Sequence, residues 1–235
     1  MLKPQAYVLN NEEINALFKF CAKHYVHDYD VQCELVDHLA EAIEAKLTAD
    51  PSLSFEKALQ QVYIGFGYNG FAQVVKTKTQ EVMKGGMRAR RRLFFSYFTW
   101  PKALIVCVAA LLIYTVGNIF PLEKLNSCII IVFALAVIAE SILALRSRKL
   151  FKKPVKNLLM LSGSYFVAPV FSFQLFNLYV FFMGGLEPKY RLSLTDYYLL
   201  SASFVLFLLF KLTGYHYWKA TYTQARERYP NAFAA

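Results

Sequence analysis

Cysteine is scarce in this 235-residue chain: Cys21, Cys33, Cys107 and Cys128 are the only four, with no CxxC pair and no zinc-like spacing. Neither a disulfide framework nor a structural zinc site finds support in that pattern. The first residues, "MLKPQAYVLNNEEIN", lack the apolar core of a secretory signal, so no cleaved leader is expected. There is no internal repeat and no low-complexity tract. The glycine cluster "GFGYNG" follows a predicted helix rather than a strand and lacks the spacing of a phosphate-binding loop. No nucleophile stands paired with a base, so no enzymatic activity is expected. Acidic residues become rare beyond residue 83: residues 84–235 hold 5 Asp/Glu against 19 Lys/Arg, whereas residues 1–83 hold 11 against 7.

What is abundant is apolar. Hydrophobic residues make up 57 % of the chain and aromatics 17 %, with a formal charge of +10, which is too apolar for an ordinary soluble domain of this length. The long apolar runs all lie after the basic stretch "MKGGMRARRR" at residues 83–92. The expected fold is therefore all-α. A small N-terminal cytoplasmic helical head (1–83) leads through a basic juxtamembrane linker (84–100) into a four-span transmembrane body (101–218), and a cytoplasmic tail (219–235) follows. The spans are read at about 102–120, 127–145, 157–183 and 196–218, since about 20 apolar residues of helix cross a hydrocarbon core.

Charge asymmetry orients the spans. Lys84, Arg88, Arg90, Arg91 and Arg92 precede the first span, six basic residues lie between Arg146 and Lys156, and Lys219, Arg226 and Arg228 follow the fourth. The opposite loops carry only Lys124, Lys189 and Arg191, beside Glu123 and Glu187. The positive-inside rule then puts both termini in the cytoplasm, in a bacterial inner membrane. The clusters at Arg88–Arg92 and Arg146–Lys156 flank spans directly, so anionic lipid headgroups are their expected partners and nucleic acid is not. Trp100 and Tyr215, Tyr217 and Trp218 fall at the cytoplasmic interface, where amphipathic rings are favoured.

Two ionisable residues lie inside the spans, Glu140 and Lys211. They stand about 9 and 12 Å from the cytoplasmic flank at 1.5 Å per residue, so an intramembrane ion pair is geometrically open to them. They serve an ion or proton pathway, a structural pair, or two side chains reaching separately for the interface. The third span contains Ser162, Gly163 and Ser164, which permit close helix packing, and then Pro169, which predicts a kink.

The head reads as four helices. Asn10 caps the first (10–26) with Glu13 at the third position, a capping box; Ile14, Leu17, Phe18, Cys21 and Tyr25 form its apolar stripe. The third begins after Ser54 and stops in "GFGYNG"; the fourth, about 70–83, is expected to break at Gly85-Gly86. The second, "DVQCELVDHLAEAIE" (30–44), holds five carboxylates. At 100° per residue Asp30, Glu34, Asp37, Glu41 and Glu44 fall within about 40° of one line, with His38 at about 80°. Val31, Leu35, Leu39, Ala42 and Ile43 occupy the other side, as in an amphipathic helix of a small bundle. Asp30, Glu34, Asp37, His38 and Glu41 are the candidate partner-binding residues. A metal site using His24, His27, Asp37 and His38 is the competing reading, although no metal or other cofactor is required by the pattern.

The stretch "HYVHDYDVQCELVDHLAEAIE", followed by "SFEKALQQVYIGFGYNGFAQVVKTKTQ", resembles a family of bacterial membrane proteins with a "Y(D)xQxELVDHLAxxIE" signature in the cytoplasmic head. Its layout is also similar to HAAS-type helical signalling domains, which join an acidic helix, an "(S)xEEAL…LG" helix and a last helix leading to membrane spans. The resemblance covers residues 10–82, and this chain has "FGYNGF" where HAAS domains have a simpler LG turn. It implies a protein-interaction head that signals to a cytoplasmic partner, with PadR-like transcriptional regulators as the associated class, and it implies no catalytic residues. A small transporter or permease component using Glu140 and Lys211 is the alternative function.

Overall fold

Asn10 opens the first helix as the sequence requires. In the computed structural model its side-chain oxygen accepts the backbone N–H groups of Glu12 and Glu13, each at 2.9 Å, while the Glu13 carboxylate accepts the Asn10 N–H at 2.8 Å. Two of the unsatisfied donors at the helix start are thereby paired. The structure describes residues 7–121, 153–162 and 193–234, together with 124, 127, 131, 132, 134–139, 141, 142, 145, 146 and 151. The protein is all-α: every regular element among these residues is helical.

Helix α1 (Asn11–Lys23) ends at His24, and Tyr25 takes a left-handed conformation, φ 65°, that lets the Val26 N–H reach the Cys21 carbonyl. Helix α2 runs Tyr29–Ala49 and α3 Phe55–Ile64, the latter capped by Ser54. In the turn that follows, Gly70 has φ 49° and lies so close to Tyr63 that a Cβ there would meet its hydroxyl at 2.6 Å. The positive φ favours glycine there, and any side chain would also have to displace the Tyr63 hydroxyl. Helix α4 (Ala72–Phe95) does not break at Gly85-Gly86 as expected. An interior glycine costs about 1 kcal/mol relative to alanine but stops a helix only with a left-handed residue or a proline behind it, and neither occurs here. A 3₁₀ turn (Ser96–Phe98) and Pro101 separate α4 from α5 (Ala103–Ile119), with a bend of 64°. The remaining described helices are α6 (Leu159–Ser162) and α7 (Leu194–Arg228), before a 3₁₀ turn at Pro230–Ala232.

The chain divides into two compact units, and the first contains more than the N-terminal segment: Met1–Gly86, Pro154–Gly163 and Thr223–Ala235 belong together. Its core is built from Leu17, Cys21, Val31, Leu35, Leu39, Ile43, Ala58 and Phe71, which are almost wholly buried, and Leu159 joins them. Leu158, Ala225 and Ala232 form an adjoining cluster, covered by Tyr29, Met160 and Tyr229. Residues 158–162, read from sequence as the beginning of a span, and the terminal segment, read as a tail, are thus structural parts of the head.

The second unit comprises Met87–Lys153 and Ser164–Tyr222. There α5 and α7 meet at Gly117, where a Cβ would lie 2.7 Å from the Tyr197 ring and 3.0 Å from Tyr198. The Tyr197 hydroxyl donates to the Ile113 carbonyl at 3.2 Å, and the Asn118 amide donates to the Tyr198 hydroxyl at 3.2 Å. Farther along α7, Trp218 and Tyr222 pack edge-on against Phe151, with ring centroids 4.5 and 4.9 Å away.

The expected count of four spans is not reached among the described residues. One helix, Tyr197–Arg228, is long and apolar enough to cross a membrane, and α4–α5 passes the same test only as a bent pair. Helix α5 by itself has 17 residues, about 26 Å of rise, slightly short of a hydrocarbon core of about 30 Å. Of the other two expected spans, 157–183 lies largely outside the described residues, and 127–145 is described at 12 of its 19 positions, all of them helical.

Candidate functional site

The start of α2 and the start of α6 cap one another. The Tyr29 N–H, a donor with no partner inside its own helix, donates to the Asn157 carbonyl at 2.7 Å. In return the Asp30 carboxylate accepts the N–H groups of Leu159 at 2.8 Å and Met160 at 2.9 Å, and that of Val31 at 3.2 Å. Backbone donors left over at a helix start are satisfied here by a side chain 129 residues distant. Around this exchange, Lys156 sets its ammonium 4.0 Å over the Tyr29 ring, and Tyr229 packs edge-on to Tyr29 at 6.3 Å. The Ala232 carbonyl accepts the N–H groups of Val155 at 2.7 Å and Lys156 at 3.3 Å. Two distant segments, 155–160 and 229–232, therefore converge on the first turn of the acidic helix.

This geometry corrects the sequence reading at Asp30. It is 8 % exposed, so it is not a partner-binding residue on an open face. The helical wheel aligns it with Glu34 and Glu41, but a wheel carries no information about what covers the end of a helix. Glu34 is exposed but already engaged: its carboxylate receives Lys78 of α4 at 2.7 and 2.8 Å. Glu44, at the other end, accepts the Leu9 N–H at 2.9 Å. Asp37, His38 and Glu41 stand exposed in the middle of the same side, so the open acidic surface is narrower than the sequence suggests.

The residues considered for a metal do not assemble. Among the described residues, no group of three or more His, Cys, Asp or Glu side chains comes together in a way that could hold an ion. His24 instead lies in an aromatic cluster with Phe20 and Tyr63, both with ring centroids 4.4 Å away, and its Nδ1 hydrogen-bonds the Tyr63 hydroxyl at 2.9 Å. His27 and His38 are exposed on other parts of the surface.

Burial tunes the groups around the junction. It raises the Asp28 carboxyl above its ordinary range, helped by the nearby charge of Asp30 and opposed by His27. Burial also raises the Cys33 thiol, so that thiol is less reactive than an exposed one. Cys21, in the core, is pushed up to about 11 by burial.

Lys211, the intramembrane candidate on α7, is 8 % exposed, with its ammonium 5.4 Å from the centre of the Phe207 ring. Glu140 lies outside the described residues, and so does the pair it was expected to form.

Sequence reasoning missed Tyr29, Asn157 and Lys156 as parts of this site. The only signal for them was the apolar "NLLM" directly after a basic loop, a pattern that a span start reproduces equally well. Comparison with protein-family models, with curated proteins and with solved structures returns no match for the chain.

Proposed function

We propose that this is a multi-pass protein of the bacterial inner membrane whose cytoplasmic domain docks a protein partner and relays to it the state of the membrane body. The observation that carries the proposal is the junction at Asp30, where the acidic helix is held by the chain segments adjoining two of the expected spans. A movement of the 157–160 segment reaches α2 through hydrogen bonds to its first turn, and one of the C-terminal segment through the Tyr229 ring and the bonds of Ala232 to Val155 and Lys156.

Topology supports this reading independently of the charge asymmetry. A compact unit cannot be divided by a bilayer. Met1–Gly86, Pro154–Gly163 and Thr223–Ala235 share one unit, so the number of crossings between consecutive segments is even. Two crossings in residues 87–153 and two in residues 164–222 satisfy that condition. The most apolar window of α7 is 18 % buried, and Ile105, Val108, Leu111 and Leu112 on α5 are exposed, as suits helices that face lipid.

The partner chemistry follows from Asp37 and Glu41: a basic protein surface is complementary, and a transcriptional regulator of the PadR-like class is the partner that the resemblance of the head implies. Crosslinking pull-down from native membranes tests it. The full-length Asp37→Lys/Glu41→Lys variant should lose a partner that the parent captures, with its melting curve retained. Capture unchanged by the double reversal overturns the docking face. Sidedness is tested by single cysteines at Lys57, Asn157 and Glu227 in a background cleared of native thiols. All three should react with an impermeant maleimide only in inverted vesicles, and labelling of any one from outside breaks the topology.

The burial of Lys211 within an apolar helix favours a second reading, a small transporter component, since intramembrane charges are costly to keep. Solute flux in proteoliposomes that survives the double reversal but is lost in Lys211→Met would select it.

A further inference from the structure

We propose that the exposed face of α4 between Arg88 and Phe95, with the aromatic residues that follow it, is a seat for the anionic headgroups of the bilayer, so that this end of α4 rests on the membrane surface. The inference rests on the membrane reading above and adds to it a defined lipid-binding face.

The face is sharply divided. At 100° per residue, Arg91, Phe95, Arg88 and Arg92 fall within an arc of about 100°, and all four are exposed. Ala89, Arg90, Leu93 and Phe94 occupy the other side and are half-buried. Arg90 on that inner side has its guanidinium 4.9 Å over the Tyr217 ring. Three guanidiniums therefore project outward together with Phe95, which is 59 % exposed. Phe98 and Trp100 continue the apolar edge at 43 % and 78 % exposure. No Asp or Glu occurs anywhere in residues 82–122, so nothing on this stretch neutralises the arginines.

Such a mixture of exposed cations and exposed large apolar side chains suits the surface of an anionic bilayer. The cations match lipid phosphates and the rings enter the headgroup–acyl boundary. A single-stranded nucleic acid would also accept arginines and rings. The bilayer is favoured because the apolar helix α5 begins only three residues beyond Trp100.

The bend decides the depth. Arg88 precedes Trp100 by 12 residues, about 18 Å along a helix. Were α4 to continue the axis of α5 through the membrane, Arg88 would stand that far out in water. With the axes 64° apart its height over Trp100 falls to about 8 Å, taking α5 as the membrane normal, and this lies within reach of the headgroup layer for an arginine side chain. A helix so inclined lies nearer to the plane of the surface than to its normal, and its exposed face has lipid to meet.

The test uses the full-length chain in lipid nanodiscs with a single tryptophan, Phe95→Trp in a Trp100→Phe/Trp218→Phe background. In phosphatidylcholine containing 30 % phosphatidylglycerol, a lipid spin-labelled near the headgroup should quench that indole at least twofold. Arg88→Gln/Arg91→Gln/Arg92→Gln, or discs of phosphatidylcholine alone, should remove more than half of the quenching. Quenching that is absent, or identical in all three cases, overturns the proposal. A response to a 20-nucleotide single-stranded RNA that persists in the phosphatidylglycerol discs overturns it in favour of nucleic acid. A second probe, Leu111→Trp in the same background, reports on the membrane reading itself through a lipid labelled deep in its tail. Quenching at 111 without quenching at 95 overturns the surface seat alone; quenching at neither position removes the membrane reading with it.

Discussion

The Asp30 carboxylate and the Leu159 N–H lie 2.8 Å apart, a hydrogen bond that joins the first turn of the acidic helix to a segment 129 residues later. Met160 shares the same carboxylate at 2.9 Å. Asp30→Ala leaves the buried Leu159 donor and the half-buried Met160 donor without it. Hydrogen bonds to a charged group contribute about 1.5–3 kcal/mol, and an orphaned donor costs about as much, so a loss of about 2–4 kcal/mol is expected. Hydrogen exchange in the reconstituted protein reads it directly: the Leu159 and Met160 amides should exchange about 30- to 1,000-fold faster, each 1.4 kcal/mol being about a factor of ten. Asp30→Asn, which keeps one acceptor oxygen, should fall between the two.

Lys78→Gln is the contrast. Its ammonium lies 2.7 Å from Glu34, a shorter contact than any that Asp30 makes, but the two side chains are 33 % and 46 % exposed. Solvent-exposed pairs contribute about 0–1 kcal/mol and are screened by salt. The melting temperature should move by no more than about 3 °C, and by less in 0.5 M salt; a drop as large as that from Asp30→Ala would mean the pair is not a surface one.

Cys21 makes a pH-dependent prediction. Burial pushes its thiol up to about 11 from an ordinary value of 9.0. The fold therefore holds the protonated thiol, and the stability this contributes is full below pH 9 and is lost as the pH rises from 9 toward 11. Native protein should alkylate at Cys21 more slowly than at the half-buried Cys33 of the same domain, with the difference disappearing in denaturant. Equal rates in the native state, measured by mass spectrometry of the labelled peptides, would contradict the burial.

Gly117→Val tests the contact between α5 and α7. The new Cβ would meet the Tyr197 ring at 2.7 Å, inside van der Waals contact, and the ring is held in place by its hydroxyl bond to Ile113. Overpacking of this kind costs about 1–3 kcal/mol. A lowered melting temperature in nanodiscs, partly restored by Tyr197→Ala, is the expected pattern.

The local features of the head were legible in sequence because they depend on neighbours. The box at Asn10 and Glu13, the cap at Ser54 and the apolar stripe through Leu35, Leu39 and Ile43 all occur where spacing predicts them. The bounds of α4 were not legible, because Gly85-Gly86 is ambiguous without knowledge of the backbone angles that follow. The role of Asp30 was not legible either. Its local pattern is that of Glu34 and Glu41, and only contacts across the whole chain distinguish the three. The open part of the candidate site, Asp37, His38 and Glu41, was read from periodicity, while its closed part came from the fold.

The composite make-up of the head has a consequence for its biogenesis. Gly86 leaves the ribosome 146 residues before Ala232, about 7–30 s at 5–20 residues per second. Leu159 follows Gly86 by 73 residues, so α2 exists without it for the first half of that interval and without Ala232 to close beside it throughout. On the membrane reading proposed above, the nascent domain waits, its junction open, while the apolar segments insert. Cleavage by a protease pulse during synthesis should fall sharply only after the segment Thr223–Ala235 emerges.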